Sequence, residues 1–211
     1  MNQTYKLVAF DMDGVIFENK NSWEMVHEVF KTSYNNEEIM KNPSKKKYDT
    51  VYKELIGELW KGKDTREINN KVQEAKYNPG VREVVASLKK RGYILAIISS
   101  GFSTLAKRAK EELGFDHVFA NELMTKEGIV SGEFNLQVYD YNKGEILQKL
   151  CEKLGFTSKE AIVVGDGAND IAKFKVAGIS IAFNNPNEKL IPYATHVVTS
   201  NNMLEVLKHI P

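Results

Sequence analysis

Leu7-Val8-Ala9-Phe10-Asp11-Met12-Asp13-Gly14-Val15 decides how the rest of the chain is read. Four apolar or small residues, too few for a lone helix, run into two carboxylates two positions apart and then a glycine that lets the chain turn. The pattern predicts a buried strand over residues 6 to 10. Its carboxyl end carries Asp11 and, on the same side if the extended geometry persists, Asp13. Two carboxylates this close repel unless a cation sits between them or one keeps its proton. An Asp-rich turn closing a strand has the same sequence, so the choice depends on what later strands bring to the same edge.

Outward from that strand, residues 22 to 34 carry Trp23, Val26, His27 and Phe30 at helical spacing, with Ser22 as amino-terminal cap. Asn42-Pro43-Ser44 interrupts the pattern. A second helix then places Val51, Tyr52, Leu55, Ile56, Leu59 and Trp60 on one face, and Asp64-Thr65 caps a third that runs to about Lys76. Asn78-Pro79-Gly80 marks a boundary, because proline disfavours helix in the residue before it and glycine permits a turn.

Beyond it the pattern alternates: helix 80–91, strand 93–98, helix 103–113 and strand 117–120. Lys126-Glu127-Gly128 and Ser131-Gly132 suggest a β-hairpin. Helix 143–154, strand 161–164, helix 169–176, strand 179–183, a short strand near Val197-Val198 and a closing helix 201–209 follow. This order predicts an α/β fold, a Rossmann-like, mostly parallel sheet flanked by helices. The expected domains are an α/β core of residues 1–16 and 79–211 and a small helical cap, 17–78, inserted after the first strand.

Composition narrows the function classes. Of 211 residues, 42% are hydrophobic and 27% charged, as in an ordinary soluble globular protein. With 29 basic against 28 acidic residues the net charge is +1, so no global field recruits nucleic acid or an anionic membrane. Lys45-Lys46-Lys47 is read as a solvated face or loop, since no aromatic interleaving or glycine-rich loop accompanies it. The single cysteine, Cys151, falls on the apolar face of helix 143–154 as a buried small hydrophobe and fits a reducing compartment. With no run of roughly 18 apolar residues to span a bilayer, the expected location is the cytoplasm.

In open α/β sheets, ligands sit outside the carboxyl ends of strands, and three polar clusters fall there. The first strand brings Asp11 and Asp13, and the second brings Ser99-Ser100-Gly101 at the start of a helix. A later one brings Gly165-Asp166-Gly167-Ala168-Asn169-Asp170. The N–H groups at the helix start make an anion site, although a plain turn with Ser103 as cap has the same residues. Asp166 and Asp170 flank a glycine-rich turn, with Asn169 placed to cap the following helix. Carboxylates gathered at one edge without histidine or cysteine suit Mg²⁺ better than zinc. Gly165 to Gly167 lacks the third glycine of a dinucleotide loop. Lys143, at the start of its helix, is misplaced for the helix dipole unless an anion compensates it. Together these parts describe phosphoryl transfer through an aspartyl phosphate. Asp11 is the nucleophile, Asp13 the acid and base, and lysine and N–H groups hold the phosphate oxygens.

Those residues resemble the haloacid dehalogenase-like phosphatases, in their phosphoserine phosphatase-like branch. Asp11-Met12-Asp13-Gly14-Val15 is similar to the first motif of that family, Ile97-Ile98-Ser99 to the second and Lys143 to the third. Val163-Val164-Gly165-Asp166-Gly167-Ala168-Asn169-Asp170 is similar to the fourth. The resemblance implies that Ser99, Ser100, Gly101, Lys143 and Asn169 bind phosphate. It also implies that Asp11, Asp166 and the backbone carbonyl of Asp13 ligate Mg²⁺, with Asp170 supporting the metal. Where the branch has a glutamate seven residues after the second aspartate, this chain has Lys20. The nearest acid is Glu18, and Arg66 is the one arginine of the inserted segment. Glu18, Lys20 and Arg66 are therefore the candidates for reading the substrate, with phosphoserine a candidate substrate.

The expected function is a Mg²⁺-dependent phosphomonoester hydrolase acting on a small phosphorylated metabolite. No nucleic-acid or membrane partner is expected, and the protein is expected to be a monomer or homodimer. A phosphotransferase using the same intermediate is the alternative. A receiver-like phosphate-responsive module, the non-enzymatic alternative, needs neither Asp13 nor the inserted cap.

Overall fold

The computed structural model describes residues 5–19, 21–33 and 45–211, with only the backbone described for Lys45, Lys46, Glu54 and Leu55. Lys20 and Asn42-Pro43-Ser44 lie outside the described residues. Among the described residues seven strands form one sheet, β1 Leu7–Phe10, β2 Ile94–Phe102, β3 His117–Lys126, β4 Ile129–Asn135, β5 Ala161–Gly165, β6 Ile179–Phe183 and β7 His196–Val198. Their order is β4-β3-β2-β1-β5-β6-β7, and every pairing is parallel except β3 with β4.

β1 lies in the middle because it can be apolar on both faces. Val8 and Phe10 join one buried cluster and Leu7 and Ala9 the other, and none is more than 1% exposed. The chain leaves β1 toward β2 and returns on its other side as β5, so the strand order reverses at β1 and opens a crevice at its carboxyl end. Phe10 pairs with both Ile97 and Val164. That register sets Asp11, Ser99 and Asp166 within a residue or two of one level.

Helices α5 Val81–Lys90, α6 Ser103–Leu113, α7 Lys143–Lys153 and α8 Ile171–Val176 cover the sheet. The inserted segment contributes α1 Ser22–Phe30, α2 Lys45–Thr50, a π-helical stretch Val51–Ile56, α3 Gly57–Trp60 and α4 Arg66–Glu74. Its ends cross side by side, with Glu18 N–H donating to Lys76 O and Asn78 N–H to Ile16 O, both 2.9 Å. The buried Asn78 carboxamide donates to the carbonyls of Gly14, Val15 and Phe17 at 2.8–3.2 Å. Among the described residues, no helix is long and apolar enough to cross a membrane.

Several local expectations change. α1 is capped by Asn21, whose side chain accepts from Trp23 and Glu24 N–H, while Ser22 is spent elsewhere; the helix stops at Phe30 because Lys31 turns left-handed at φ 52°. The π-helical stretch shifts the face of the second helix, so Ile56 and Trp60 are buried while Leu59 is 42% exposed. Of the two readings of Lys45–Lys47, a solvated face or a loop, the run begins a helix on which Lys47 is exposed.

β2 runs on to Phe102 through a break in its pairing with β3 between Ile98 and Phe102. That break lets Ser99-Ser100-Gly101 leave the ladder without ending the strand. β3 and β4 extend well past the expected strand, joined at Glu127 and Gly128, both at positive φ as a tight hairpin requires. The closing helix is a 3-10 helix, Met203–His209. Cys151 is fully buried, and burial pushes its thiol up to about 11.

Candidate active site

One cavity of about 500 Å³ opens at the carboxyl ends of β1, β2 and β5. Asp11, Asp13, Ser99, Ser100, Gly101 and Asp166 line its floor. The three polar clusters therefore meet at one edge.

Lys143 lies beneath the floor, fully buried at the first turn of α7. Its Nζ donates to Asp11 Oδ2 at 2.8 Å and to Asp170 Oδ1 at 2.9 Å. These two carboxylates are the anions that its unfavourable place on the helix dipole requires. Lys143 reaches this depth because Gly144 follows it: a Cβ there would collide with the Ala172 carbonyl, so the glycine lets α7 press against α8. Burial by itself would lower the Lys143 ammonium, but Asp11 and Asp170 outweigh it and hold it above its ordinary value. For Asp11, burial would raise the carboxyl. The ammonium groups of Lys143 and Lys173 and hydrogen bonds from Lys143 and Met12 N–H overcome it and keep Asp11 well below the usual carboxylate range.

Asp13 stands in the opposite condition. Ser22 N–H and hydroxyl reach its Oδ2 at 2.9 and 2.7 Å and Asn19 Nδ2 its Oδ1 at 3.0 Å, but no cation contacts it among the described residues. Burial outweighs the Ser22 bonds and, with the charge of Asp11, pushes it up to about 6. Ser22 is thereby accounted for: its oxygen also accepts from Phe102 N–H at 2.9 Å, tying the first helix of the insertion to β2. A Cβ on Gly101 would come within 2.6–2.8 Å of Ser22 Oγ, Asp13 Oδ2 and Met12 Cε, so only glycine fits between them. Gly101 N–H donates to Ser99 Oγ at 3.1 Å, which leaves the Ser99 hydroxyl proton to donate in turn.

Asn169 does not cap a helix. It sits in a 3-10 turn, Ala168–Asp170, with its Nδ2 3.4 Å from Asp11 Oδ2. Asp170 takes the structural part, its Oδ2 accepting Asp166 N–H at 3.0 Å and Gly167 N–H at 3.4 Å. Lys173, which the sequence reading passed over, is fully buried with Nζ 2.9 Å from the same Asp170 Oδ1 that meets Lys143. This contact is an ion pair, and Lys173 Nζ has no other polar partner among the described residues. Burial lowers the Lys173 ammonium against the pull of Asp170 and Asp11, while burial and Asp11 raise the Asp170 carboxyl. A lysine three residues after Asp170 on a helix otherwise facing the core was the available signal.

Asp11, Asp166 and Asp170 each offer a carboxylate oxygen within 4.8 Å of the others. An all-oxygen set of this kind fits a hard divalent cation. Each oxygen of Asp170 already meets two lysine or N–H groups, whereas Asp11 Oδ1 accepts only Met12 N–H among the described residues, so Asp11 is the less committed donor. Gly14 faces Asp166 so closely that a Cβ there would collide with its carboxylate.

Of the residues expected to read the substrate, Glu18 and Arg66 do not line the cavity. Glu18 is exposed at the crossing point, and Lys20 lies outside the described residues. Arg66, 86% exposed in its side chain, pairs with Asp64 at 2.8 Å on another face. The walls instead hold Asn21, Trp23, Tyr48, Tyr52, Asp140 and Asn185, none of them anticipated as site residues. Trp23 and Tyr52 read in sequence as apolar helix-face residues and Tyr48 was not singled out; all three are buried in a shared cluster as well as lining the cavity.

Residues 5–178 match the family model of haloacid dehalogenase-like hydrolase. A curated protein named phosphoserine phosphatase, from Methanocaldococcus jannaschii, is 32% identical over 216 residues and covers 100% of both chains. Another of that name, from Archaeoglobus fulgidus, is 32% identical over 96% of this chain and 59% of its own. A solved structure described as a phospho-aspartyl intermediate analogue of phosphoserine phosphatase superposes with a TM-score of 0.83 at 30% identity. It covers 98% of this chain and 99% of that one.

Proposed function

The chain belongs to the haloacid dehalogenase-like hydrolase family, and we propose that it is a Mg²⁺-dependent phosphomonoester hydrolase working through an aspartyl phosphate on Asp11. The observation that carries this reading is the division of labour between the two aspartates. Asp11 is held ionised beside Lys143, while Asp13 is raised to about 6, where it can give and take a proton near neutrality.

Asp11 attacks phosphorus as the bond to the ester oxygen breaks, and Asp13 passes its proton to that oxygen so the alcohol leaves neutral. Asp13, now a carboxylate, takes a proton from the water that attacks the acyl phosphate, releasing inorganic phosphate and restoring Asp11. Lys143, the Ser99 hydroxyl and the Ser100 N–H bind the phosphoryl oxygens, with Asn169 oriented toward Asp11 to assist. Gly101 supplies room and holds Ser99. Asp11, Asp166 and the main-chain carbonyl of Asp13 would hold Mg²⁺, which when bound neutralises phosphoryl charge as a carboxylate approaches. Asp170 fixes Lys143 and the 166–167 turn. The segment 17–78, inserted after β1, is read as a cap on a core of 1–16 and 79–211, its described part bringing Trp23, Tyr48 and Tyr52 to the cavity.

The M. jannaschii relative is named for phosphoserine, which makes phosphoserine a candidate substrate here. The test is Mg²⁺-dependent release of phosphate from para-nitrophenyl phosphate, with inhibition by vanadate. Folded protein that releases none, or an Asp11→Asn variant with unchanged turnover, overturns the reading. Phosphate recovered on an added alcohol in place of free phosphate would assign a phosphotransferase.

A further inference from the structure

We propose that the wall of the cavity formed by Trp23, Tyr48, Tyr52 and Asp140 is a subsite for a cationic leaving group. The favoured substrate is then the phosphate ester of a short alcohol bearing an ammonium or alkylammonium group and no carboxylate. This rests on the phosphatase reading and specifies the alcohol.

The three rings form a continuous surface. Tyr48 and Tyr52 stack at 5.8 Å with 4° between their planes, and Trp23 meets Tyr52 at 5.1 Å. None is more than 8% exposed, so the surface is ordered before anything binds. Trp23 Nε1 donates to Ser100 O at 2.9 Å, which fixes that ring beside the turn assigned to the phosphate. The wall therefore begins where the ester oxygen leaves. Tyr48 hydrogen-bonds through its hydroxyl to Asp140, and burial first, then the Asp140 charge, hold the phenol proton on. Asp140 also lines the cavity and adds a carboxylate to the aromatic wall.

Ring faces and a carboxylate together attract a cation, and alkylammonium groups are recognised by this combination. A carboxylate on the substrate meets the opposite field. Among the described residues that line the cavity, four are aspartates, and the lysine beneath its floor, Lys143, is already held by Asp11 and Asp170 and assigned to the phosphoryl group. Burying an anion there without a partner is unfavourable. Glu18 and Arg66, the pair that might have received a free amino acid, do not reach the cavity. At about 500 Å³, shared with the phosphoryl group, the space suits a short alcohol.

Phosphoethanolamine and phosphoserine carry the same ammonium and differ by one carboxylate, so they isolate the claim. The experiment measures kcat/KM with Mg²⁺ for these two, phosphocholine and glycerol 3-phosphate, with para-nitrophenyl phosphate as the standard. Phosphoethanolamine or phosphocholine should exceed phosphoserine by about tenfold or more, with glycerol 3-phosphate between them. Asp140→Asn should narrow the ratio of phosphoethanolamine to glycerol 3-phosphate severalfold. Tyr52→Leu, which leaves Asp140 in place, should narrow it too and serves if the first variant does not fold. Phosphoserine equal or ahead, or a ratio that a folded variant leaves unmoved, overturns the subsite alone. Folded protein that hydrolyses none of these esters, para-nitrophenyl phosphate included, overturns the phosphatase reading and the subsite with it.

Discussion

Beneath the cavity, Asp11, Lys143, Asp170 and Lys173 bury two negative and two positive charges in mutual contact; above it, Trp23, Tyr48, Tyr52 and Trp60 bury rings in edge and stacked contact. Both regions are buried, but they tolerate change differently. A buried charge needs its partner at hydrogen-bond distance, and removing one member leaves the others unpaired in a medium that does not solvate them. A ring needs only volume of about the right shape, and cores accept substitutions that keep it. Chemistry placed on the charged floor is therefore hard to alter, while the aromatic roof can change which alcohol is held without disturbing the reaction beneath it.

Four variants sharpen this contrast. The largest effect belongs to Asp11→Asn, which should lower kcat on the order of 10⁴-fold in steady-state assays while the protein stays folded. Lys173→Met should cost about 3–5 kcal/mol in urea unfolding, because Asp170 keeps a single ammonium partner, and adding Asp170→Asn should recover part of that loss.

Asp13→Asn should gain stability instead. The Asp13 carboxyl titrates at about 6 when folded against an ordinary 3.8, so the folded chain binds that proton more tightly. The penalty for charging it is absent below 3.8 and complete above 6. Without metal, the variant should be more stable by on the order of 3 kcal/mol at pH 8, with the gain fading as pH falls from 6 toward 4 in unfolding curves. Trp23→Phe keeps a ring but loses the bond to Ser100 O. It should cost about 1 kcal/mol of stability and raise KM severalfold with kcat retained. A roof variant that abolished kcat, or a Lys173 variant without a stability cost, would break the distinction between floor and roof.

The floor was legible in the sequence because its residues lie at strand ends, where apolar runs of four or five stop at a carboxylate, a serine or a glycine. β6 at Ile179–Phe183 and α6 at Ser103–Leu113 fall where periodicity puts them, since nothing competes with the pattern there. Lys143 was found by an inconsistency, a cation at the wrong end of a helix. Lys173 was not, because it sits at no strand end and its partner lies one turn back on its own chain. The roof was harder to read: Trp23, Tyr48 and Tyr52 have the spacing of core residues and are core residues, and sequence alone cannot tell a ring that lines a cavity from one that fills it. Ser22 read as a cap because serine before a helix usually is one, but here Asp13 and Phe102 N–H claim its hydroxyl. The β3–β4 hairpin was underestimated because its strands are polar, and what covers it is the inserted segment.

That cover is made of main chain as well as side chains. Gly62 N–H donates to Val130 O, Val130 N–H to Lys63 O and Thr65 N–H to Gly128 O, all at 2.8–2.9 Å, and Trp60 packs on Phe134. The hairpin grows out of the sheet, yet its far end is stitched to residues 62–65. Mechanically, this stitched arm holds the insertion in addition to its crossing ends at Asn78 and the bonds of Ser22 and Trp23 with β2. A load pulling the roof away from the floor is shared with β3, whose pairing with β2 already breaks at Ser99–Gly101. Tension on the roof is thus delivered to the loop that would grip the phosphate.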